Sequence, residues 1–273
     1  QGLKPDNQLG LNTLLKAIDN AKEDDRIQGI VLSLSNVQAG MANLDEIRRA
    51  LKNFKEESGK TILSYADVYT QQSYYLASLA DTIYMQPEGE LGLIGLNAQV
   101  LFFKNMLDKV GVDPIILRHG KFKSAIEPFM MEKMSEANRE QTSTYLNSIW
   151  DYMVEGMAAA RGIGFEQMHE LINSLDYIEA ENVVAKGLVD GLIYKDEFLA
   201  KLRAQTGQEA DEDLRLVSAS EYAKAEMPHK EKKKGLSRNE VAVIYAAGSI
   251  NMAGDGMSIG GRPLSSEIRK ARK

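Results

Sequence analysis

The side chains most able to do chemistry fall together in Arg118-His119-Gly120-Lys121-Phe122-Lys123-Ser124-Ala125-Ile126-Glu127-Pro128-Phe129. Lys123 lies among Phe122, Ala125, Ile126 and Phe129. A lysine held against apolar neighbours loses solvation in its charged form and can serve as a general base near neutral pH. The plainer reading is a solvated loop lysine paired with Glu127. Gly120 and Pro128 bracket the stretch, so a structured loop is expected there. Lys121 shares the loop, is expected to face solvent and has no assigned role in proton transfer.

A base needs a nucleophile in side-chain contact. Ser124 adjoins Lys123, but neighbours in a loop need not point together. Ser33, Ser35 and Ser64 lie on or beside apolar strands, where backbone groups are expected to satisfy them. Ser73 reads as a helix residue. The chain has no cysteine, which excludes thiol catalysis, disulfides and cysteine-ligated zinc. His119, His169 and His229 are far apart and have no acidic or histidine partner at i+3 or i+4, so no metal site is expected. Glu88-Gly89-Glu90-Leu91-Gly92-Leu93-Ile94-Gly95 lacks the G-x-x-x-x-G-K pattern and carries two glutamates, so it is no phosphate cradle. No cofactor is expected.

The elements that would position Lys123 follow from periodicity. Leu11, Leu14, Leu15, Ile18 and Ala21 fall on one helical face to about Lys22. Ile27 to Leu34 is an apolar run expected of a strand buried on both faces. Asn43 and Glu46 form a capping-box pattern before a helix that Gly59 closes. Strands are expected at Thr61–Ala66 and Thr82–Met85 with a short helix, Thr70–Ala80, between them. Pro87–Gly95 reads as a loop. Strands around Ala98–Leu101 and Pro114–Leu117 flank a helix, Phe103–Val110. Ser135 should cap the longest helix, which ends near Arg161 with Gly162 past its end. Its row Tyr145, Ile149, Met153, Gly156 and Ala160 is expected to pack on its own domain at one end and on a neighbouring protomer at the other. A short helix, Phe165–Leu175, and a helix and turn, Ala180–Asp190, follow. Helices alternating with buried strands imply an α/β fold with a parallel sheet and right-handed crossovers.

Three divisions are expected: a domain over residues 1–226, a solvated lysine-rich linker over 227–238 with Pro228 and Gly235, and a second unit beginning at 239–273. That unit opens with strand character over Glu240–Ile250 and ends in a helix, Leu264–Lys273. Ile259-Gly260-Gly261 with Leu264, Ile268 and Ala271 echoes Leu9-Gly10-Leu11 with Leu14, Ile18 and Ala21, as a repeat that begins without finishing would. The 44% hydrophobic content suits a substantial core. A net charge of −6 argues against a general nucleic-acid surface. No apolar run reaches the roughly 18 residues of a membrane span. The chain opens at Gln1, so an anchor upstream is an open expectation.

Gly120-Lys121-Phe122-Lys123-Ser124-Ala125-Ile126-Glu127-Pro128-Phe129 resembles the lysine loop of the signal peptide peptidase A (protease IV) family, in its long two-repeat bacterial form. Tyr74-Tyr75-Leu76-Ala77-Ser78, Gly187-Leu188-Val189-Asp190 and Leu264-Ser265-Ser266-Glu267-Ile268-Arg269 support the likeness, which covers essentially the whole chain as the N-terminal half plus the opening of the C-terminal half. The resemblance implies a ClpP/crotonase-like fold, a parallel sheet with flanking helices and a long helical segment after the lysine loop. It implies a serine endopeptidase with a Ser/Lys dyad, and places the base on Lys123. The family nucleophile, a serine followed by two glycines, would lie beyond residue 273; Gln71 takes its place in this half, with no glycine pair after it. Cleaved signal peptides or other apolar peptides are the implied substrates. A bowl-shaped homotetramer anchored through an N-terminal segment in the bacterial cytoplasmic membrane, facing the periplasm or outside, is the implied setting. The isolated chain is then expected to be inactive. A crotonase-like acyl-CoA enzyme and a non-catalytic scaffold half are the alternatives.

Overall fold

The computed structural model describes residues 9–34, 37–117, 120, 122–209, 212–225, 242–246, 248–251 and 258–272. The linker expected at 227–238 lies outside the described residues, as do Ser35, His119, Lys121 and His229. The chain divides into two compact units, Gln1–Met227 and Pro228–Lys273.

The first unit runs α1 (Leu11–Glu23), β1 (Gly29–Leu32), α2 (Met41–Ser58), β2 (Thr61–Thr70), α3 (Gln71–Ala77), β3 (Thr82–Gly92), α4 (Lys104–Val110), a 3-10 turn (Ser124–Ile126), α5 (Glu127–Met130), α6 (Glu136–Arg161), α7 (Phe165–Ser174), α8 (Ala180–Ala185), β4 (Gly191–Leu192), α9 (Lys195–Thr206) and α10 (Ala219–Tyr222). The sheet order is β1-β2-β3-β4, and every pairing is parallel. Helices cover the sheet, as the ClpP/crotonase-like α/β expectation requires.

Alternation along β2 explains the two layers. Ile62 and Ala66 face the main core with Ile83 and Met85 of β3. Tyr65 faces the other way, onto Phe198 and Leu202 of α9. Its ring stacks on Phe198 at 5.0 Å, and Tyr84 meets the same ring edge-on at 6.0 Å. The main core is filled by Phe54 from α2, Tyr74 from α3, Met153 and Met157 from α6, and Leu188 before β4. Arg48 is buried among these elements. Its guanidinium donates to Tyr75 O, to Ser78 Oγ at 2.9 Å and to Gly156 O at 2.6 Å, and lies 4.4 Å from the Tyr75 ring centre. Those bonds tie α2, α3 and α6 together without leaving the buried charge bare.

Several sequence expectations are corrected. The capping box at Asn43 and Glu46 does not form: α2 begins at Met41 on an extended Gly40, so Asn43 lies inside the first turn. Glu46 pairs with Arg49 at 3.4 Å. Pro87–Gly95 is not a loop, because β3 continues to Gly92. The ladder passes from Ala66↔Met85 to Val68↔Glu90, so extra residues of β3 bulge out between them. Pro87, which has no N–H to give, falls in the bulge. Gly89 is there because a Cβ at that position would stand 2.4 Å from Asp67 O and 2.7 Å from Gln86 O. Neither Ala98–Leu101 nor Pro114–Leu117 is a strand. Their apolar side chains face outward, so there is no ladder or core for them to join. Ser33 is exposed rather than held beside a buried strand.

In the second unit, β5 (Ser249–Asn251) pairs in parallel with β6 (Ser258–Gly260), and α11 (Gly261–Ala271) starts directly from β6. The strand expected over 240–250 is confined, among the described residues, to β5. Among the described residues no helix is long and apolar enough to cross a membrane.

Candidate functional site

Lys123 sits on an arm that leaves the sheet after Leu93. Tyr177 Oη donates to Leu93 O at 2.7 Å and fixes the point of departure. Beyond it the apolar side chains turn outward: Ile94 is 85% exposed, Ile115 94% and Leu117 93%. Helix α4 buries no residue at all. The arm folds back on itself where Phe103 N–H donates to Pro128 O at 2.7 Å and the Phe103 and Phe129 rings stack at 5.9 Å.

The lysine loop itself is built by a turn. Gly120 has φ +101°, in the left-handed region that favours glycine. Lys123 is the residue before the 3-10 turn, with φ −84° and ψ 75°, and the Glu127 N–H closes that turn on Ser124 O. Lys123 is exposed, and Phe122 is half exposed. The apolar wrapping expected around Lys123 is therefore not supplied by its own loop; Phe129 is spent on Phe103.

Glu127, four residues after Lys123, goes the opposite way. It is 1% exposed. Its carboxylate accepts from Ser135 Oγ at 2.6 Å, Ser135 N–H at 3.2 Å and Asn138 Nδ2 at 2.9 Å. Ser135 also caps α6, accepting from Asn138 N–H at 3.1 Å, and Thr142 Oγ1 donates to Asn138 Oδ1 at 3.3 Å. Ser135 was legible as a cap. The reach of Glu127 to it was not, because the two are eight residues apart across Pro128 and no helical spacing links them.

The helix start that resemblance aligns with the nucleophile is closed. Ser73 is fully buried; its Oγ donates to Thr70 O at 2.9 Å, and its N–H to Thr70 Oγ1 at 3.2 Å. Gln71 follows Thr70, and its Oε1 is buried without a hydrogen-bond partner among the described residues. Ser64 Oγ donates to Leu32 O at 3.1 Å and meets Tyr69 Oη at 2.8 Å, satisfied inside the core as expected of it. His169 pairs with Asp151 at 3.1 Å on the surface. Among the described residues no three histidine, aspartate or glutamate side chains converge as a metal would need. On the row of α6, Met153 is buried, Gly156 packs against Tyr75 and Arg48, and Tyr145 stays 63% exposed.

The model of Peptidase family S49 matches residues 54–209. The chain is 32% identical over 266 residues to Protease 4 of Haemophilus influenzae, covering 93% of this chain and 42% of that protein. It is 32% identical over 268 residues to the chloroplastic serine protease SPPA of Arabidopsis thaliana, covering 97% of this chain and 39% of that one. The chain thus spans about two fifths of the length of these relatives. A solved membrane-bound stomatin-specific protease is similar at 13% identity and a TM-score of 0.42, over 71% of this chain and 77% of that one.

Proposed function

The chain belongs to peptidase family S49, and on that premise we propose that it supplies the general base, Lys123, of a serine endopeptidase. The reading is carried by one observation. In the matched segment, Lys123 stands exposed at the head of a 3-10 turn whose far end is anchored inside the protein by Glu127. It is presented outward, where a serine from elsewhere in the full-length protein can meet it. Ser73, turned into the core and bonded to Thr70, is not offered to a substrate.

In this mechanism the neutral Lys123 Nζ takes the proton from the serine hydroxyl as the oxygen attacks the peptide carbonyl. The same proton passes to the leaving amine, which leaves an acyl-enzyme. Lys123 then accepts a proton from the water that attacks the acyl carbon, and returns it to the serine oxygen as the ester bond breaks and the acid product leaves. The lysine must be uncharged to begin, so the full-length enzyme has to add the desolvation that the loop lacks. The isolated chain, carrying a base without a serine opposite it, is inactive in this reading.

Cleaved signal peptides and other apolar peptides are the proposed substrates, and a membrane surface reached through an N-terminal anchor is the proposed setting. A homo-oligomer, tetrameric by resemblance, is the proposed assembly. The outward apolar side chains of the arm, Ile94, Leu101, Ile115 and Leu117, support it, because each is a large apolar group left open to solvent that another chain could cover.

The test compares lysine variants of the full-length protein on one peptide substrate. Lys123→Ala should lower kcat by roughly 10²- to 10⁴-fold, the usual contribution of a general base. Lys123→Arg should fail as badly, since arginine stays protonated at working pH. Lys121→Ala should keep most activity. A dead Lys121→Ala beside an active Lys123→Ala would move the base to Lys121; full activity in both would remove the Ser/Lys mechanism.

A further inference from the structure

Between Ile94 and Tyr152 only two described residues are buried, Glu127 and Asn138, and they are hydrogen-bonded to each other. Within the long segment that carries Lys123 the enclosed side chains are thus a polar pair, while Ile94, Leu101, Ile115 and Leu117 are exposed and only Ile149 and Trp150, toward its far end, pack partly buried on the main core. Helix α6 continues inward from this pair and ends in the core through Met153, Val154, Met157 and Ala158. A connected path runs from the core, along α6, through Ser135 and Asn138 to the Glu127 carboxylate, and through the 3-10 turn to Lys123.

A buried carboxylate is costly unless its oxygens are filled, and here three donors among the described residues meet them. Capping alone does not require it. Ser135 already caps α6 with its own hydroxyl, and an apolar side chain at position 127 could fill the same space without a charge to solvate. The carboxylate adds direction. Its donors lie at the amino end of a helix of 26 residues, where the helix dipole favours negative charge. An apolar contact in that place could slide; three hydrogen bonds to two residues cannot slide without breaking.

We propose that Glu127 is a positioning residue for Lys123: its carboxylate locks the lysine turn to the start of α6 and so fixes where Nζ stands in the active enzyme. This rests on the reading of Lys123 as the base. A misplacement of about 1 Å by a residue outside the chemistry can cost on the order of a hundredfold in rate. Orientation of the base therefore appears in kcat and leaves substrate binding alone.

The experiment uses the full-length protein and a fluorogenic apolar peptide. Glu127→Gln keeps the size of the side chain but sets an NH2 group among donors. It should lower kcat by roughly 10- to 100-fold with KM within about twofold. Adding Asn138→Asp to Glu127→Gln reverses donor and acceptor across the pair at the same net charge, and should restore a large part of kcat. Asn138→Ala removes one donor and should lower kcat less, in the same direction, which keeps the test open if Glu127→Gln does not fold. A wild-type kcat in Glu127→Gln and Asn138→Ala, with Lys123→Ala dead, overturns the proposal and leaves the base where it is. Loss of kcat with no recovery in the double variant, in step with a fall in Tm, also overturns it, because that is the mark of a stability role. An active Lys123→Ala overturns the base reading, and this proposal with it.

Discussion

Leu93 and Ile94 are chain neighbours under different rules. Leu93 is fully buried, with its carbonyl bonded to Tyr177; Ile94 is 85% exposed. On one side of that bond lies a core closed by apolar burial, in which Phe54, Ile62, Tyr74, Ile83 and Met157 are sealed from solvent. On the other lies an arm with comparable apolar content turned outward and a polar pair turned in. The contrast separates two kinds of order. Burial is non-directional and specifies that groups meet; hydrogen bonds specify at what angle. The core needs the first. A segment that must present one amine to a reacting atom needs the second.

The largest effect should come from the core. Phe54→Ala should cost about 3–5 kcal/mol of unfolding free energy, read from denaturant melts of the chain, because it leaves a cavity in the main core under α2. A loss below about 1 kcal/mol would mean that this core is not closed as described.

Alkaline pH gives an intermediate effect, part of which reports the smaller layer on the other face of the sheet. Burial, and next the charge of Asp67, push the Tyr65 hydroxyl up to about 12. The unfolded phenol titrates near 10, so from there upward the unfolded state gives up its proton first. Stability is then full below about pH 10 and falls as pH rises toward 12. Tyr65→Phe should make this decline shallower in alkaline melts; an unchanged slope would remove Tyr65 as a contributor. Tyr69, Tyr74 and Tyr75, whose hydroxyls burial raises further, and Tyr222, raised to about 12 by burial first and then by Asp24, should leave a residual slope in that variant.

The smallest effect should come from the arm. Ile115→Ser replaces a large apolar side chain that is 94% exposed, and should change the stability of the isolated chain by less than about 0.5 kcal/mol. A loss comparable to that of Phe54→Ala would erase the boundary between the two regions.

The same boundary divides what the sequence made legible. The carboxyl ends of α2 and α6 and the Ser135 cap follow from Gly59, Gly162 and the serine itself. Helix α1 and the parallel sheet follow from periodicity, because each buries its apolar face within the chain. Pro114–Leu117 and Ala98–Leu101 read as strands for the same reason, and wrongly: an apolar run shows that a segment avoids water, not where it finds cover. The end of β3 was hidden by Pro87 and Gly89, which read as turn residues until the register jump accounts for both. Lys123 was singled out by its motif. Its exposure was not, because Phe122 and Phe129 stand beside it in sequence while one faces solvent and the other pairs with Phe103. Glu127 was weighed only as a partner for the lysine; its bonds to Ser135 and Asn138 depend on the path of the chain around Pro128.

The arm also sets the timetable of synthesis. Arg48 reaches Gly156 across 108 residues, Ile83 N–H is met by the Asp190 carboxylate across 107, and Tyr74 Oη donates to Leu188 O across 114. All three closures span the arm. A nascent chain that has emerged only as far as β3 carries an open parallel sheet whose covering helix has not yet been made. At translation rates of about 5–20 residues per second, roughly 5–20 s pass before α6 and β4 arrive to cover it. During that interval Tyr74 of α3 and Ile83 and Met85 of the half-made sheet lack their later partners, so a factor that shelters apolar nascent chain has its longest window of need here, before the lysine turn has anything to stand on.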